Sequence, residues 1–396
     1  MKSARKPKKG YKTTKWLFGK EIEIPEEWEI LHLTNKQIMH LSSGNSIKNI
    51  ELNDNYPVFG SNGIIGYAEL SNEDDAILIG RVGAAGSINY IEEKVWVTDN
   101  VLVCKVGEKI DKKFCYYALK HMRLERFATK SAQPLLTQSI LKIIKINIPP
   151  LPEQQKIASI LSGIDALIES TQMLIEKTER LKKGLMQKIL TKGIGHTKFK
   201  KVSWMFGKEI EIPEEWMLEK LENVCNVRNC CNITSTLYVG LENIGQGNNL
   251  LESKGNTSEF ASTKNTFLPG DVLYGKLRPL LNKVWLATES GYCSTDILPL
   301  EPHNNILPSI LLRVLSNYGF FWYAIATSAG TKMPRTNWSD MKKFLVMLPP
   351  LQEQQKIASI LSGVDAYIQK NQEYKEKLEV IKKGLMQKLL TGQIRV

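Results

Sequence analysis

From residue 157 the apolar letters fall at Ile157, Ile160, Ile164, Leu167, Leu174, Leu181 and Leu185, with Thr171 and Thr178 completing an alternation of three and four. The same frame returns with Ile357, Ile360, Val364, Tyr367, Asn371, Tyr374, Leu378, Ile381 and Leu385. This spacing predicts two long helices with a heptad seam, because a stripe recurring every 3.5 residues keeps facing a partner helix over many turns. Pro149-Pro150 and Pro349-Pro350 block helix upstream, and Glu153 and Glu353 suit the positive first turn. Lys182, Lys183 and Lys188, matched by Lys382, Lys383 and Lys388, suit the opposite pole. From 153 to 190 each helix would be roughly 55–60 Å long at 1.5 Å per residue. Thr171 and Asn371 share one seam position, where a polar side chain commonly fixes register at some cost in stability. Gly163 and Gly363 interrupt the helical sequence and are open to two readings, close helix approach or a slight bend.

Between the helices the pattern changes to short β-rich runs such as AILIG (76–80), VWVTDNVLVCKV (95–106) and DVLYGKL (271–277), separated by Gly/Asn turns such as FGSNGIIG (59–66) and VGLENIGQG (239–247). Helical stretches follow near 112–128 and 308–325. Residues 29–147 and 217–347 therefore read as two mixed α+β modules, each running through a proline-bounded segment into its own long helix.

The two halves are a duplication. EQQKIASILSG at 153–163 is repeated letter for letter at 353–363, and WLFGKEIEIPEEW at 16–28 returns as WMFGKEIEIPEEW at 204–216. Asp75 to Arg81 resembles Asp271 to Lys276 with one gap, Thr98-Asp99 matches Thr295-Asp296, and Pro134 matches Pro334. The offset grows in steps from 188 to 200, as small loop insertions would make it grow. Near-identical punctuation surrounds divergent contents, which is what two copies of one partner and two different targets would require.

Composition narrows the class. With 396 residues and 42% hydrophobic letters the chain can bury real cores, and no apolar run is long enough to span a membrane. The N-terminus is basic but lacks the apolar stretch of a secretory signal, so a cytoplasmic protein is expected. The net charge of +12 favours an anionic partner, nucleic acid before membrane, although the excess is spread along the chain and places no binding face. Cys104, Cys115, Cys225, Cys230, Cys231 and Cys293 form no CxxC pair, so buried free thiols are expected and neither a disulfide framework nor a metal site is.

Nothing assembles a catalytic site. GRVGAAG spaces Gly80, Gly83 and Gly86 as neither a dinucleotide fingerprint nor a P-loop, and turn or close-packing glycines are the simpler reading. Glu92-Glu93-Lys94 reads as an exposed charged turn, and the five histidines make no HExxH pair.

The segments PPLPEQQKIASILSGIDALI and PPLQEQQKIASILSGVDAYI, each preceded by a strand such as IIKINIPP and followed by a helix ending KKGLMQK-[IL]-LT, resemble the conserved regions of the specificity subunit of type I restriction-modification enzymes. The likeness runs over essentially the whole chain, from IPEEW to LLTGQIRV. It implies an α+β protein with a pseudo-two-fold internal repeat, its two target recognition domains separated by two long antiparallel coiled-coil helices. The implied division is 1–147 for an N-terminal arm and the first domain, 148–192 for the first spacer helix, 193–347 for a linker and the second domain, and 348–396 for the second spacer helix. It implies a non-catalytic reader of double-stranded DNA, each domain reading one half of a bipartite site. The helices would dock two methyltransferase subunits, and restriction subunits would join through them. S-adenosylmethionine, magnesium and ATP would sit only on those partners. The alternative is a coiled-coil scaffold between proteins, without DNA specificity.

Reading bases needs Arg, Lys, Asn or Gln held on turns, with Ser and Thr in support, whereas phosphate contacts need only positive charge. In the first module the candidates are Ser61 and Asn62 in the SNG turn, Arg81, Lys130 to Gln133, and Thr137 with Gln138 beyond Pro134. In the second they are Lys276 and Arg278 in GKLRP, and Lys332, Arg335, Thr336 and Asn337 around Pro334. Lys276 aligns with Arg81, which gives that pair the most weight; for any single candidate an ordinary solvated side chain is an equal reading.

Overall fold

Each module closes on itself through one strand pair. Glu29–His32, just after the first IPEEW, pairs antiparallel with Lys145–Ile148, just before the first proline pair, and Met217–Lys220 pairs with Leu345–Leu348 in the same way. The computed structural model describes residues 7–16, 20–46, 55–257 and 264–396. The first six residues of the basic arm and residues 17–19 of the first W-x-FGKEIEIPEEW segment lie outside them. The chain divides into two compact units, residues 1–173 with 372–396, and residues 174–371. This division cuts both long helices, where the sequence reading keeps each helix whole as its own segment.

In the first unit a four-stranded antiparallel sheet runs in the order Met39–Ser43, Val101–Val106, Ile77–Gly80, Ile88–Tyr90. Its central strands are buried on both faces, and their alternation feeds two cores. Ile77, Ile79, Leu102 and Cys104 face the core that holds helix Lys112–Met122, and Leu78, Val101 and Val103 face a smaller one. Asp111 starts that helix by accepting the Phe114 N–H at 2.8 Å. A second sheet places Tyr56–Gly60 between Gly63–Ala68 and a parallel strand, Trp96–Val97. The second unit repeats this plan. Cys225–Val227, Ile297–Pro302, Val272–Gly275 and Val284–Leu286 form its central sheet, with Val272 and Tyr274 facing one core and Leu273 the other. Helices Pro308–Ser316 and Tyr318–Ala326 cover it. Cys104, Cys115, Cys225 and Cys293 are buried as expected, and burial pushes the Cys225 and Cys293 thiols up. Cys230 departs from that expectation and is exposed, because it stands on the loop between two sheets.

The long helices are Leu151–Lys192 and Leu351–Leu390, 42 and 40 residues. None of the described helices is long and apolar enough to cross a membrane. In each unit the N-terminal half of one helix lies antiparallel to the C-terminal half of the other. In the first unit Asp165 pairs with Lys382 and the Gln172 amide oxygen accepts from Lys375, while in the second unit Lys182 pairs with Asp365.

The seam differs from the expected one at every second position. Ile157 and Ile357 are buried as expected, but Leu161 and Ile175 are buried where Ile160 and Leu174 were expected, Lys182 is half-buried beside an exposed Leu181, and Leu361 and Ile368 replace Ile360 and Tyr367. Apolar letters stand side by side at 160–161, 167–168 and 174–175, so a three-four and a four-three reading fit the sequence equally well. The antiparallel partner and the module cores select the second. Thr171 and Asn371 satisfy their polar atoms within their own helices, donating to the Leu167 and Tyr367 carbonyls at 2.7 and 2.8 Å.

The repeated letters outside the seam build the junctions. Gln154 is fully buried and spends its whole amide: Nε2 donates to the carbonyls of Pro149 and Lys109, and Oε1 accepts the Asp111 N–H. Gln354 does the same with Pro349, Asn305 and the Leu307 N–H. Glu153 accepts from the Trp28 indole at 3.0 Å and from the Arg395 Nε at 2.6 Å. Glu353 accepts from the Trp216 indole at 2.8 Å, from the Ile194 N–H, and pairs with His196. The tryptophan of each IPEEW is therefore bound to the glutamate of the EQQ in its own half.

At Gly163 and Gly363 a β-carbon would meet nothing within 4 Å, so no approach within the chain requires them. Alanine at either site is expected to stabilise the protein by about 1 kcal/mol, read as a higher urea midpoint at unchanged slope. A lower midpoint would mean that the helix needs glycine there for its shape.

Candidate nucleic-acid interface

The same constellation forms at one end of the inner strands of each central sheet, where the strand ending in Gly80 or Gly275 turns beneath the loop that carries Pro134 or Pro334. In the first unit the Arg81 N–H donates to Asn100 O at 2.9 Å, Arg81 O accepts from the Leu136 N–H at 2.8 Å, and the Gly83 N–H donates to Pro134 O at 3.1 Å. In the second, the Lys276 N–H donates to Asp296 O at 2.9 Å, Lys276 O accepts from the Thr336 N–H at 3.0 Å, and the Arg278 N–H donates to Pro334 O at 2.7 Å. Backbone bonds thus hold Arg81 and Lys276 in equivalent places, as their alignment in the sequence requires. They also carry the two aligned anchors on to their neighbours, equating Gly83 with Arg278, Leu135 with Arg335, Leu136 with Thr336, and Thr137 with Asn337.

The proline loops are themselves tied at the base. Leu135 donates to Thr129 Oγ1 and accepts from the Thr129 N–H, and Ala329 and Arg335 exchange both backbone bonds at 2.9 Å. Gly80 is fixed by close packing, since a β-carbon there would meet Ser87 Oγ and Ala84 O within 2.4 Å, and Gly83 and Gly86 have φ of 76° and 88°. The GRVGAAG segment is a tight turn under the loop.

Not every candidate reaches the surface. Asn62, Lys130, Gln133 and Gln138 are exposed around the first constellation, and Arg81 is half-buried. Arg278, Lys332, Arg335 and Asn337 are exposed around the second, with Lys276 half-buried. Ser61 is buried, its hydroxyl donating to Asn100 O at 2.8 Å, so it ties the SNG hairpin to the sheet rather than facing a ligand. Thr336 is fully buried as well: its N–H is pinned to Lys276, as that of the apolar Leu136 is to Arg81 in the other unit, and its hydroxyl has no hydrogen-bond partner among the described residues. Thr137 is half-buried and caps helix Gln138–Ile143 by accepting from the Ile140 N–H. These three residues support the surface and the remaining candidates line it.

The residue that sequence reasoning missed is Asp296. Its carboxylate accepts from Arg335 Nε at 3.2 Å while its carbonyl holds the Lys276 turn. The repeated Thr-Asp pair was visible, but its bearing on an arginine 39 residues away was not. The arrangement can present fork and amide donors on rigid turns, the geometry that reading base edges needs. Among the described residues no group of His, Cys, Asp and Glu is placed to hold a metal ion.

A family model described as "Type I restriction modification DNA specificity domain" matches residues 25–180 and 213–380. The chain is 28% identical over 412 residues to the type I restriction enzyme MjaVIII specificity subunit of Methanocaldococcus jannaschii, covering 95% of each sequence. It is 23% identical to the type I restriction enzyme EcoDI specificity subunit of Escherichia coli, over 87% of this chain and 83% of that one. The fold is similar to that of a type I restriction-modification system S subunit from M. genitalium, with a TM-score of 0.60 at 17% identity over 92% of this chain and 96% of that one.

Proposed function

This chain belongs to the type I restriction-modification DNA specificity family, and from that premise we propose that it is the sequence-reading subunit of such a complex. Each unit reads one half of a bipartite site in double-stranded DNA through the surface around its proline loop. The observation that carries this reading is the contrast between repeated and divergent parts of the duplication. The junctions built by Glu153, Gln154 and Trp28 are repeated residue for residue by Glu353, Gln354 and Trp216, yet the loop surfaces they support carry Gly83 and Leu135 in one unit and Arg278 and Arg335 in the other. One scaffold made twice with two different faces suits two different half-sites.

The chemistry belongs to partners in this reading. The long helices dock two methyltransferase subunits, restriction subunits join through these, and S-adenosylmethionine, magnesium and ATP are bound there and not by this chain. Both helices display the row of apolar side chains that the antiparallel seam leaves outside, which supports docking.

The test is selection of bound duplexes from a random DNA pool by the chain with its copurifying subunits, followed by sequencing. A motif in two fixed blocks is expected, with an affinity that falls linearly in log–log against salt. Replacing residues 217–347 by the corresponding module of a relative should change one block and leave the other. A scaffold acting only between proteins would select no motif.

A further inference from the structure

The two faces differ most in their arginines. Arg278 has φ 51° and ψ 68°, the left-handed region that glycine adopts freely and a β-carbon resists. The equivalent residue of the first unit is a glycine, Gly83 at φ 76°, and each donates its N–H to the proline carbonyl of its loop. The second unit thus keeps a long cationic side chain at a backbone position that its twin fills with the residue best suited to it. Strain of this kind gathers at functional sites.

Arg335 stands where the twin has Leu135. Its backbone is bound on both sides by Ala329, the next residue is pinned to Lys276, and its Nε is held by Asp296 Oδ1 at 3.2 Å. A guanidinium has five N–H groups in one plane. With Nε engaged, the Nη1 and Nη2 groups remain, and no other partner takes them among the described residues. The side chain is 44% exposed, and it is the carboxylate that sets its plane. A surface ion pair adds little to stability, so holding the fork in place is the more consequential effect of Asp296. An oriented pair of parallel N–H groups matches the O6 and N7 acceptors that only guanine presents together in the major groove.

We propose that the second unit recognises guanine in its half-site through Arg335, with Arg278 as a second fork beside it and Asp296 as the positioning residue, and that the first unit lacks this contact. The proposal rests on the DNA-reading function stated above. It is tested by the same random-duplex selection with the full chain and its copurifying subunits. The wild type should select a motif in which one block contains guanine. Arg335→Leu, which installs the twin's residue, should lower the preference for that guanine about tenfold or more and leave the other block unchanged. Arg335→Lys should keep most of the affinity and lose the guanine preference, because an ammonium is a point charge and not a fork. Asp296→Asn should blur the same base position, and Asp296→Glu should restore part of it; a merely structural aspartate would instead change the melting midpoint with the motif intact. Arg278→Gly should melt no lower than the wild type, as its strain is relieved, and still select guanine less strongly. If the wild type selects no motif, the DNA-reading function fails and the proposal with it. If a two-block motif appears and persists in every arginine variant, or if these variants weaken all sequences equally, the function stands and the guanine contact is overturned.

Discussion

Asp365→Ala should cost about 3–5 kcal/mol of stability, and the same change at the twin position, Asp165→Ala, only about 1–2 kcal/mol. Both aspartates come from the repeated SG-[IV]-DA, and both tie a module to the two helices. Asp165 accepts from the Tyr117 hydroxyl at 2.8 Å and pairs with Lys382, and Asp365 pairs with Arg313 and Lys182. The difference lies in what each would leave behind. Arg313 is buried, its side chain 9% exposed, and without Asp365 its guanidinium charge would stay in the core unpaired. Tyr117 is neutral, and burial followed by the bond to Asp165 pushes its hydroxyl upward, so loss of Asp165 strands only a phenol. Both lysines are partly exposed and can turn to water. Hydrogen exchange in Pro308–Ser316 and in Lys112–Met122 should report the two effects separately. Asp365→Leu combined with Arg313→Met should recover most of the loss, since it removes the buried charge together with its partner. Equal and small costs at both positions would mean that Arg313 finds solvent when Asp365 is gone.

How much of this was legible in the sequence varies with the physical range of each feature. Helix is local, so proline pairs, first-turn acids and last-turn lysines marked both long helices, and the central strands 77–80 and 272–275 lie within the β-rich runs. The phase of the seam was not legible, because neighbouring apolar pairs such as Ile160 with Leu161 leave the choice of face to whatever packs against them. The role of EQQ was hidden for another reason. Gln154 bonds a turn more than 40 residues upstream and Glu153 bonds Trp28 across 125 residues, and no pattern within either motif announces its partner. The duplication did report that these letters matter twice. At the candidate interface, residue types suited to base reading pointed to turns that the backbone brings together in each unit, but Ser61 and Thr336 face inward, which only the hydrogen bonds around them decide. The equivalence of Gly83 with Arg278 follows two residues on from that of Arg81 with Lys276, but that both N–H groups bind the proline carbonyl of their loop is visible only in the backbone.

The misplaced half of the seam leads to the second large effect. Ile160, Leu167, Leu174 and Leu181 form a row seven residues apart on the first long helix, and Ile360, Tyr367, Tyr374 and Ile381 form its counterpart on the second, all exposed between 37% and 65%. An apolar row with the heptad period that the chain itself leaves open to water is a surface made for another protein. Gly163 and Gly363 lie beside the two rows, where the absent β-carbon leaves room for an incoming chain. In the proposed complex each of these rows would serve one methyltransferase subunit. Leu167→Glu with Leu174→Glu should leave the melting midpoint nearly unchanged, because both side chains already face water, and should remove one partner subunit, read as the mass of the intact purified complex. Tyr367→Glu with Tyr374→Glu should remove one as well, and the four changes together should remove both. Each apolar side chain buried at a docking surface contributes about 1.5–3 kcal/mol, so two acidic substitutions in one row exceed what a partner can absorb by shifting its contacts. Retention of both subunits by the quadruple variant would place the docking surface elsewhere and leave the two rows without a role in assembly.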